Sequence, residues 1–197
     1  MTINYYYLSE NPDEEINDNV FLSSGCKLGN YDILYKQISS NPYFCRDQKG
    51  ISYEYFLQNI GKEPTIYIVD NDIIDQTKNI VGALFFYTGL FIGIYGICVP
   101  TKSEKKYGTL LISKLKTIGY KLGAKGITLS TEKINLEFYK KNGFQIDNSD
   151  PGSTTINMTY YITSGGNKLT KINKKYKHKT KNNKKHKHKT KRNKIRK

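Results

Sequence analysis

Residues 81–99 run for 19 positions without a formal charge, and no other stretch limits the possible folds as tightly. The length would suit a membrane-spanning helix. The stretch nevertheless holds Gly82, Gly89, Gly93 and Gly96, is rich in Phe, Tyr, Ile and Val, and has Thr88-Gly89 at its centre. Glycine weakens helices, β-branched and aromatic residues favour strands, and a Thr-Gly pair marks a turn. The expectation is two buried strands, 80–87 and 90–99, joined by a tight turn.

The flanking sequence supplies a setting for that pair. Residues 2–8 and 65–69 read as strands, 70–79 as a polar hairpin loop, and 11–21 as a helix whose first turn holds Asp13, Glu14 and Glu15. Ile33, Leu34 and Ile38, then Tyr53, Phe56, Leu57 and Ile60, predict two short helices around the Asn41-Pro42 break. Leu111, Leu115, Ile118 and Leu122 follow helical spacing up to a stop at Gly123. Residues 126–131 read as a strand, 134–141 as a helix stopped by Asn142-Gly143, and 154–162 as an alternating last strand. Strands and helices in this order give an α/β (α+β) chain, a mixed sheet covered by helices.

The net charge of +15 is concentrated at one end. Residues 168–197 hold 16 Lys/Arg and no acid, which leaves 16 basic against 17 acidic residues before them. A near-neutral body, 1–164, is thus followed by a Lys-rich tail, 165–197, with Ser164-Gly165-Gly166-Asn167 at the junction. The tail repeats itself: KKYKHKTKNN at 174–183 recurs as KKHKHKTKRN at 184–193. Without an apolar period it is expected to be disordered, and to bind polyanions such as nucleic acid or an anionic surface.

His178, His186 and His188, the only histidines, all lie in that tail. The body therefore has no histidine for Ser-His-Asp hydrolysis, Cys-His proteolysis or a His-ligated metal. Cys26, Cys45 and Cys98 are odd in number, lack a CxxC spacing and follow no signal-like segment. Free thiols in a reducing, intracellular compartment are the expectation, cytoplasmic or nuclear in a eukaryotic host.

Two segments carry chemistry. At 99–111 a strand ends at Pro100, a polar stretch follows, and a helix begins near Gly108. Unpaired N–H groups and the dipole make such a start a phosphate site, with Lys102, Lys105 and Lys106 adding charge. A capping box of Thr101 and Glu104 is the plainer reading. At 134–144, Leu136, Phe138 and Phe144 are placed for packing, while Tyr139 falls on a different helix face.

The pairing of these segments with the strand order resembles the GNAT superfamily of acyl-CoA-dependent N-acetyltransferases. The nearest resemblance is to glucosamine-6-phosphate N-acetyltransferases, carried by Gly108-Thr109-Leu110-Leu111-Ile112, Thr117-Ile118-Gly119-Tyr120, Glu132-Lys133-Ile134-Asn135 and Phe138-Tyr139-Lys140-Lys141-Asn142-Gly143-Phe144. The resemblance implies a mostly antiparallel sheet, acetyl-CoA as co-substrate, no metal, and acetyl transfer to a primary amine on a small molecule or a protein lysine. It implies coenzyme contacts from Ile97, Cys98 and Val99, from Lys106, Tyr107, Gly108, Thr109 and Leu110 at the pyrophosphate, and from Asn135. Tyr139 would be the general acid and Glu132 the general base. Homodimers are common in the family.

Two departures bear on function. Counting back from Gly108 puts Lys106 at the first glycine of the superfamily loop and Ser103 at its Arg/Gln. Where the sugar-phosphate enzymes have acidic residues, this chain has Tyr95-Gly96 and Ser130, which argues against glucosamine 6-phosphate as acceptor. The alternatives are an acyl-CoA-binding or nucleic-acid-binding protein without turnover, and a protein lysine acetyltransferase tethered by its tail.

Overall fold

In a computed structural model the uncharged run folds as the expected strand pair, β4 (Ile80–Tyr87) and β5 (Phe91–Cys98). The structure describes residues 2–8, 18–41, 44–45, 52–100, 106–147 and 152–163. The acidic turn at Asp13, Glu14 and Glu15, the loop 101–105 and the tail from 164 lie outside these residues.

The other elements are β1 (Ile3–Leu8), α1 (Asp18–Ser23), β2 (Cys26–Leu28), α2 (Tyr31–Ser40), α3 (Tyr53–Asn59), β3 (Thr65–Asp70), α4 (Tyr107–Lys121), β6 (Gly126–Glu132), α5 (Leu136–Lys141), β7 (Gln145–Ile146) and β8 (Thr155–Tyr161). Among the described residues the strands form one sheet in the order β2-β1-β3-β4-β5-β6-β8-β7. Only β1–β2 and β5–β6 pair in parallel; every other neighbour is antiparallel. Expected elements recur within a few residues, except that the helix expected at 11–21 is described only from Asp18; β2, a three-residue strand with exposed Lys27 and Leu28, and the two-residue β7 are additions.

The two faces of β4 explain its composition. Val81, Leu84 and Phe86 enter one apolar cluster with Leu111, Leu115 and Ile118 of α4. Ile80, Ala83 and Phe85 enter a second cluster with Leu34 and Ile38 of α2 and Phe56 of α3. A strand covered on both sides needs apolar residues at consecutive positions, since alternate side chains point to opposite faces. Each of the Val, Ile, Leu and Phe side chains among them contributes roughly 1.5–3 kcal/mol by leaving water.

The cysteines depart from expectation. Cys45 and Cys98 form a disulfide pair with Cα atoms 5.3 Å apart, 53 residues from each other in sequence. Only Cys26 keeps a free, buried thiol. The spacing of the three cysteines held no sign of this, because the pair is made by the second cluster, which brings the segment after α2 beneath β5. A bridge between Phe44 and Pro100 reinforces the same contact. No helix among the described residues is long and apolar enough to cross a membrane.

Candidate active site

Strands β5 and β6 pair only at Phe91, Ile92 and Gly93 against Gly126, Ile127 and Thr128. Beyond that point each stays paired on its outer side, β5 with β4 and β6 with β8, but not with the other. The register of β4 against β5 also shifts: Phe85 faces Gly96 and Phe86 faces Ile94, so Tyr95 is the extra residue of a bulge. A bulge bends its strand and adds twist. The two strands thereby part, and a cleft of about 900 Å³ opens between them.

Helix α4 starts at one side of this cleft. Its ladder begins with the Leu110 N–H on the Lys106 carbonyl at 3.1 Å, so the N–H groups of Gly108 and Thr109 have no carbonyl ahead of them in the helix. The first turn contains no acid, and Lys106 makes no side-chain cap bond. The turn is fixed from behind, where the Tyr107 hydroxyl donates to the wholly buried Asp70 carboxylate at 2.6 Å. Asp70 also accepts the Asp72 N–H at 3.0 Å. Asp70 was legible only as the start of a loop; its partner lies 37 residues away.

Gly108 has a packing reason of its own. A Cβ there would stand 3.0 Å from Cζ of Phe138, so the first turn of α4 and helix α5 meet closely at this residue. Lys106, at the position where the loop motif has glycine, has φ −81°, which any L-residue adopts.

Helix α5 carries Tyr139 and follows a 3₁₀ turn at Lys133–Asn135. Its end is held twice over. The Phe144 N–H returns to the Tyr139 carbonyl at 3.1 Å and the Gly143 N–H to Lys140 at 2.9 Å, the pattern of a left-handed helix stop, with Gly143 at φ +84°. From α4, the Lys116 ammonium donates to the Asn142 carbonyl and lies 3.9 Å from the Tyr160 ring centroid. Burial lowers the pKa of Lys116.

Tyr139 packs edge-on against Phe138 and Phe144, with ring centroids 5.0 and 5.7 Å away. It is 7% exposed and lines the cleft. Burial pushes its hydroxyl pKa up to about 12.

Most of the expected site residues therefore share one cavity. Ile97 of β5 and Val99 just beyond it line one part, and Lys106 at the cap of α4 with Tyr107, Gly108 and Thr109 of its first turn line another. Glu132, Asn135 and Tyr139 line it from the opposite wall. Two of the expected residues do not. Leu110 packs against the first core cluster, and Cys98 is buried in the second, bonded to Cys45. Successive residues of a strand direct their backbone groups to opposite sides, so Ile97 and Val99 share an edge that Cys98 does not. Among the described residues no group of three His, Cys, Asp or Glu is placed to hold a metal ion.

No protein-family model matches the sequence, and no curated protein is significantly similar to it. Solved structures do match. The catalytic domain of the Tetrahymena GCN5 histone acetyltransferase, in complex with coenzyme A, is 17% identical with a TM-score of 0.52, over 85% of this chain and 99% of that one. The ribosomal-protein-S18-alanine N-acetyltransferase from Escherichia coli is 15% identical with a TM-score of 0.51, over 72% and 95%. A candidate streptothricin acetyltransferase from Bacillus anthracis, in complex with acetyl coenzyme A, is 21% identical with a TM-score of 0.43; the match spans 51% of this chain and 63% of that one. A parted strand pair with a helix start on one side and a tyrosine helix on the other thus sits on a fold shared with the two acetyltransferases matched at TM-scores of 0.52 and 0.51.

Proposed function

We propose that the chain is an acetyl-CoA-dependent N-acetyltransferase that passes the acetyl group directly to a primary amine. The observation that carries this reading is the convergence of the β5–β6 opening, the α4 start and Tyr139 on one cleft. In it, the pantetheine arm lies along Ile97 and Val99 like an added strand. The pyrophosphate rests on the first N–H groups of α4, where Gly108 and Thr109 combine open donors with the positive dipole end. Asn135 helps to hold the coenzyme.

The amine nitrogen attacks the thioester carbonyl carbon, the C–S bond breaks, and the proton shed by nitrogen ends on the thiol. A main-chain N–H of β5 polarises the carbonyl during attack. With a hydroxyl pKa of about 12, Tyr139 stays neutral across the working pH range. A thiol near 8.5 is the stronger acid, so full proton transfer from Tyr139 to the thiolate runs uphill by roughly three pKa units. Tyr139 then acts as a hydrogen-bond donor to the developing thiolate, and the proton itself comes from the attacking amine. Glu132 is our candidate for the group that first deprotonates that amine. Tyr95-Gly96 and Ser130, standing where the sugar-phosphate enzymes have acids, argue against glucosamine 6-phosphate as the acceptor.

The test is release of coenzyme A from acetyl-CoA across a panel of primary amines, with acetylated product identified by mass. Turnover on at least one amine, reduced in Tyr139→Phe, supports the reading. Tight acetyl-CoA binding without turnover on any amine would favour the binding-protein alternative, for which Lys106 in place of glycine is the motivating feature. Residues 168–197 serve in either case as a polyanion tether, recognisable by steep salt dependence.

A further inference from the structure

The proposed transfer leaves unused an aromatic surface on the sheet face opposite Tyr139. Tyr55 of α3, Phe85 and Tyr87 of β4, and Tyr95 of the β5 bulge form a continuous floor there. The ring centroids lie 6.3 Å apart for Tyr55–Phe85, 6.2 Å for Phe85–Tyr95 and 4.9 Å for Tyr87–Tyr95. Phe85 is buried, but Tyr55, Tyr87 and Tyr95 are 46%, 41% and 48% exposed. Glycine builds the floor: a Cβ at Gly93 would stand 1.8 Å from the Tyr87 ring, which lies across the strand in the space a side chain would fill.

The surface leads into the cleft and is electrically biased. Tyr95 is shared between the two, and Ser130 and Glu132 line the same cleft. These two residues alternate with Leu129 and Thr131, which are buried on the α4 side, so they share the face of Tyr95. Thr65 pairs with Phe85 and the Pro64 carbonyl accepts the Phe86 N–H at 3.0 Å, so Glu63, the next residue back, falls across from Tyr87 at the edge of this floor. Desolvation and then the Glu63 charge raise the pKa of the Tyr95 hydroxyl. Elsewhere the protein covers tyrosine faces with its own lysines, Lys114 over Tyr5 at 4.1 Å and Lys116 over Tyr160 at 3.9 Å. Among the described residues no such cation stands over Tyr55, Tyr87 or Tyr95.

We infer that this surface binds the acceptor and selects an aliphatic diamine or polyamine, whose remote ammonium lies on the Tyr95 ring beside Glu63 while its other amine enters the cleft. The inference rests on the acetyl-transfer reading and names the acceptor class for that site. Ring faces and a carboxylate attract a cation jointly, and a phosphorylated acceptor would meet Glu63 and Glu132 unfavourably.

The test is calorimetric titration of the full chain, first with coenzyme A and then, on the loaded protein, with 1,5-diaminopentane or glucosamine 6-phosphate. The diamine should bind with a Kd of roughly 1 mM or tighter. Tyr95→Leu should weaken it about tenfold and Glu63→Gln about threefold, with Tyr95→Phe within about twofold of wild type. Coenzyme affinity should not follow these changes, and glucosamine 6-phosphate should not bind. Absent diamine binding, equal binding of the sugar phosphate, or indifference to Tyr95→Leu would overturn the inference. Failure to bind coenzyme A would instead count against the transfer reading, and the diamine titration would then be judged by the same criteria on the unloaded chain.

Discussion

The two faces of the sheet are held together by different means. The face under α1, α4 and α5 is organised by one long helix, whose buried Leu111, Leu115 and Ile118 recur at regular spacing. That helix also fastens its neighbours: Lys114 and Lys121 each donate at 2.7 Å to carbonyls at the end of α1, Ser24 and Ser23, and Lys116 holds the end of α5. The face under α2 and α3 has two shorter helices, a smaller cluster, the Cys45–Cys98 pair and an exposed tyrosine surface. One face is built around a long helix with a regular apolar period, and the other around short helices and a covalent pair. In our account they also divide the work, with coenzyme and leaving thiol on the first and the acceptor on the second.

The largest expected effect breaks the second face alone. Cys45→Ser should cost about 2–4 kcal/mol, because the pair closes a loop of 53 residues. For a domain this size that lowers the melting temperature by roughly 5–15 °C, while acetyl-CoA affinity changes less than about threefold. Equal melting of the oxidised wild type and the variant would mean the pair does not brace this face.

Tyr139→Phe acts on the first face and should lower kcat about 100-fold with little change in KM for acetyl-CoA. Its melting should stay close to wild type, since no hydrogen bond ties the hydroxyl to another described residue. A drop in coenzyme affinity equal to the drop in kcat would assign Tyr139 to binding instead.

Lys116→Met should cost about 1 kcal/mol by releasing the Asn142 carbonyl and the Tyr160 ring. Hydrogen exchange should quicken in α5 and not in α2 or α3; a uniform change would erase the distinction between the faces.

The smallest effect is on pH dependence. Burial raises Tyr139 to about 12, so the fold favours its neutral form. The unfolded tyrosine loses its proton first, near pH 10, and stability therefore falls as pH rises from about 10 towards 12. Tyr139→Phe should shallow that alkaline decline slightly and leave the profile below pH 9 unchanged in shape.

What the sequence revealed is divided by distance along the chain and not by face. Strands β4 and β5, helix α4 and the glycine stops at Gly123 and Gly143 were legible because composition, period and turn residues act within a few positions of themselves. The cleft-lining set from Ile97 to Tyr139 was legible through motif resemblance, and most of it converges on one cavity. Strand β2 was missed because Cys26, Lys27 and Leu28 show no apolar alternation and exist as a strand only through pairing with Tyr5, Tyr6 and Tyr7. The Cys45–Cys98 pair, the Asp70–Tyr107 bond and the contact of Gly108 with Phe138 each join residues 30 or more positions apart. Nothing in the spacing of those residues signals such partners before the chain is folded.

In the transfer we propose, the β5–β6 cleft holds acetyl-CoA with its pyrophosphate on the start of α4. Thr109→Glu tests it most directly. An acid in the first turn of a helix favours the fold through the dipole, yet it repels a phosphate bound there. Calorimetry should be run on the full chain at about 0.3 M salt, where weak capture of phosphates by the basic tail is screened. The wild type should bind one acetyl-CoA per chain at micromolar Kd, and a Thr109→Glu variant that melts no lower should lose at least tenfold in affinity. Equal affinity in the two proteins, or no binding by either at millimolar coenzyme, would contradict the proposal.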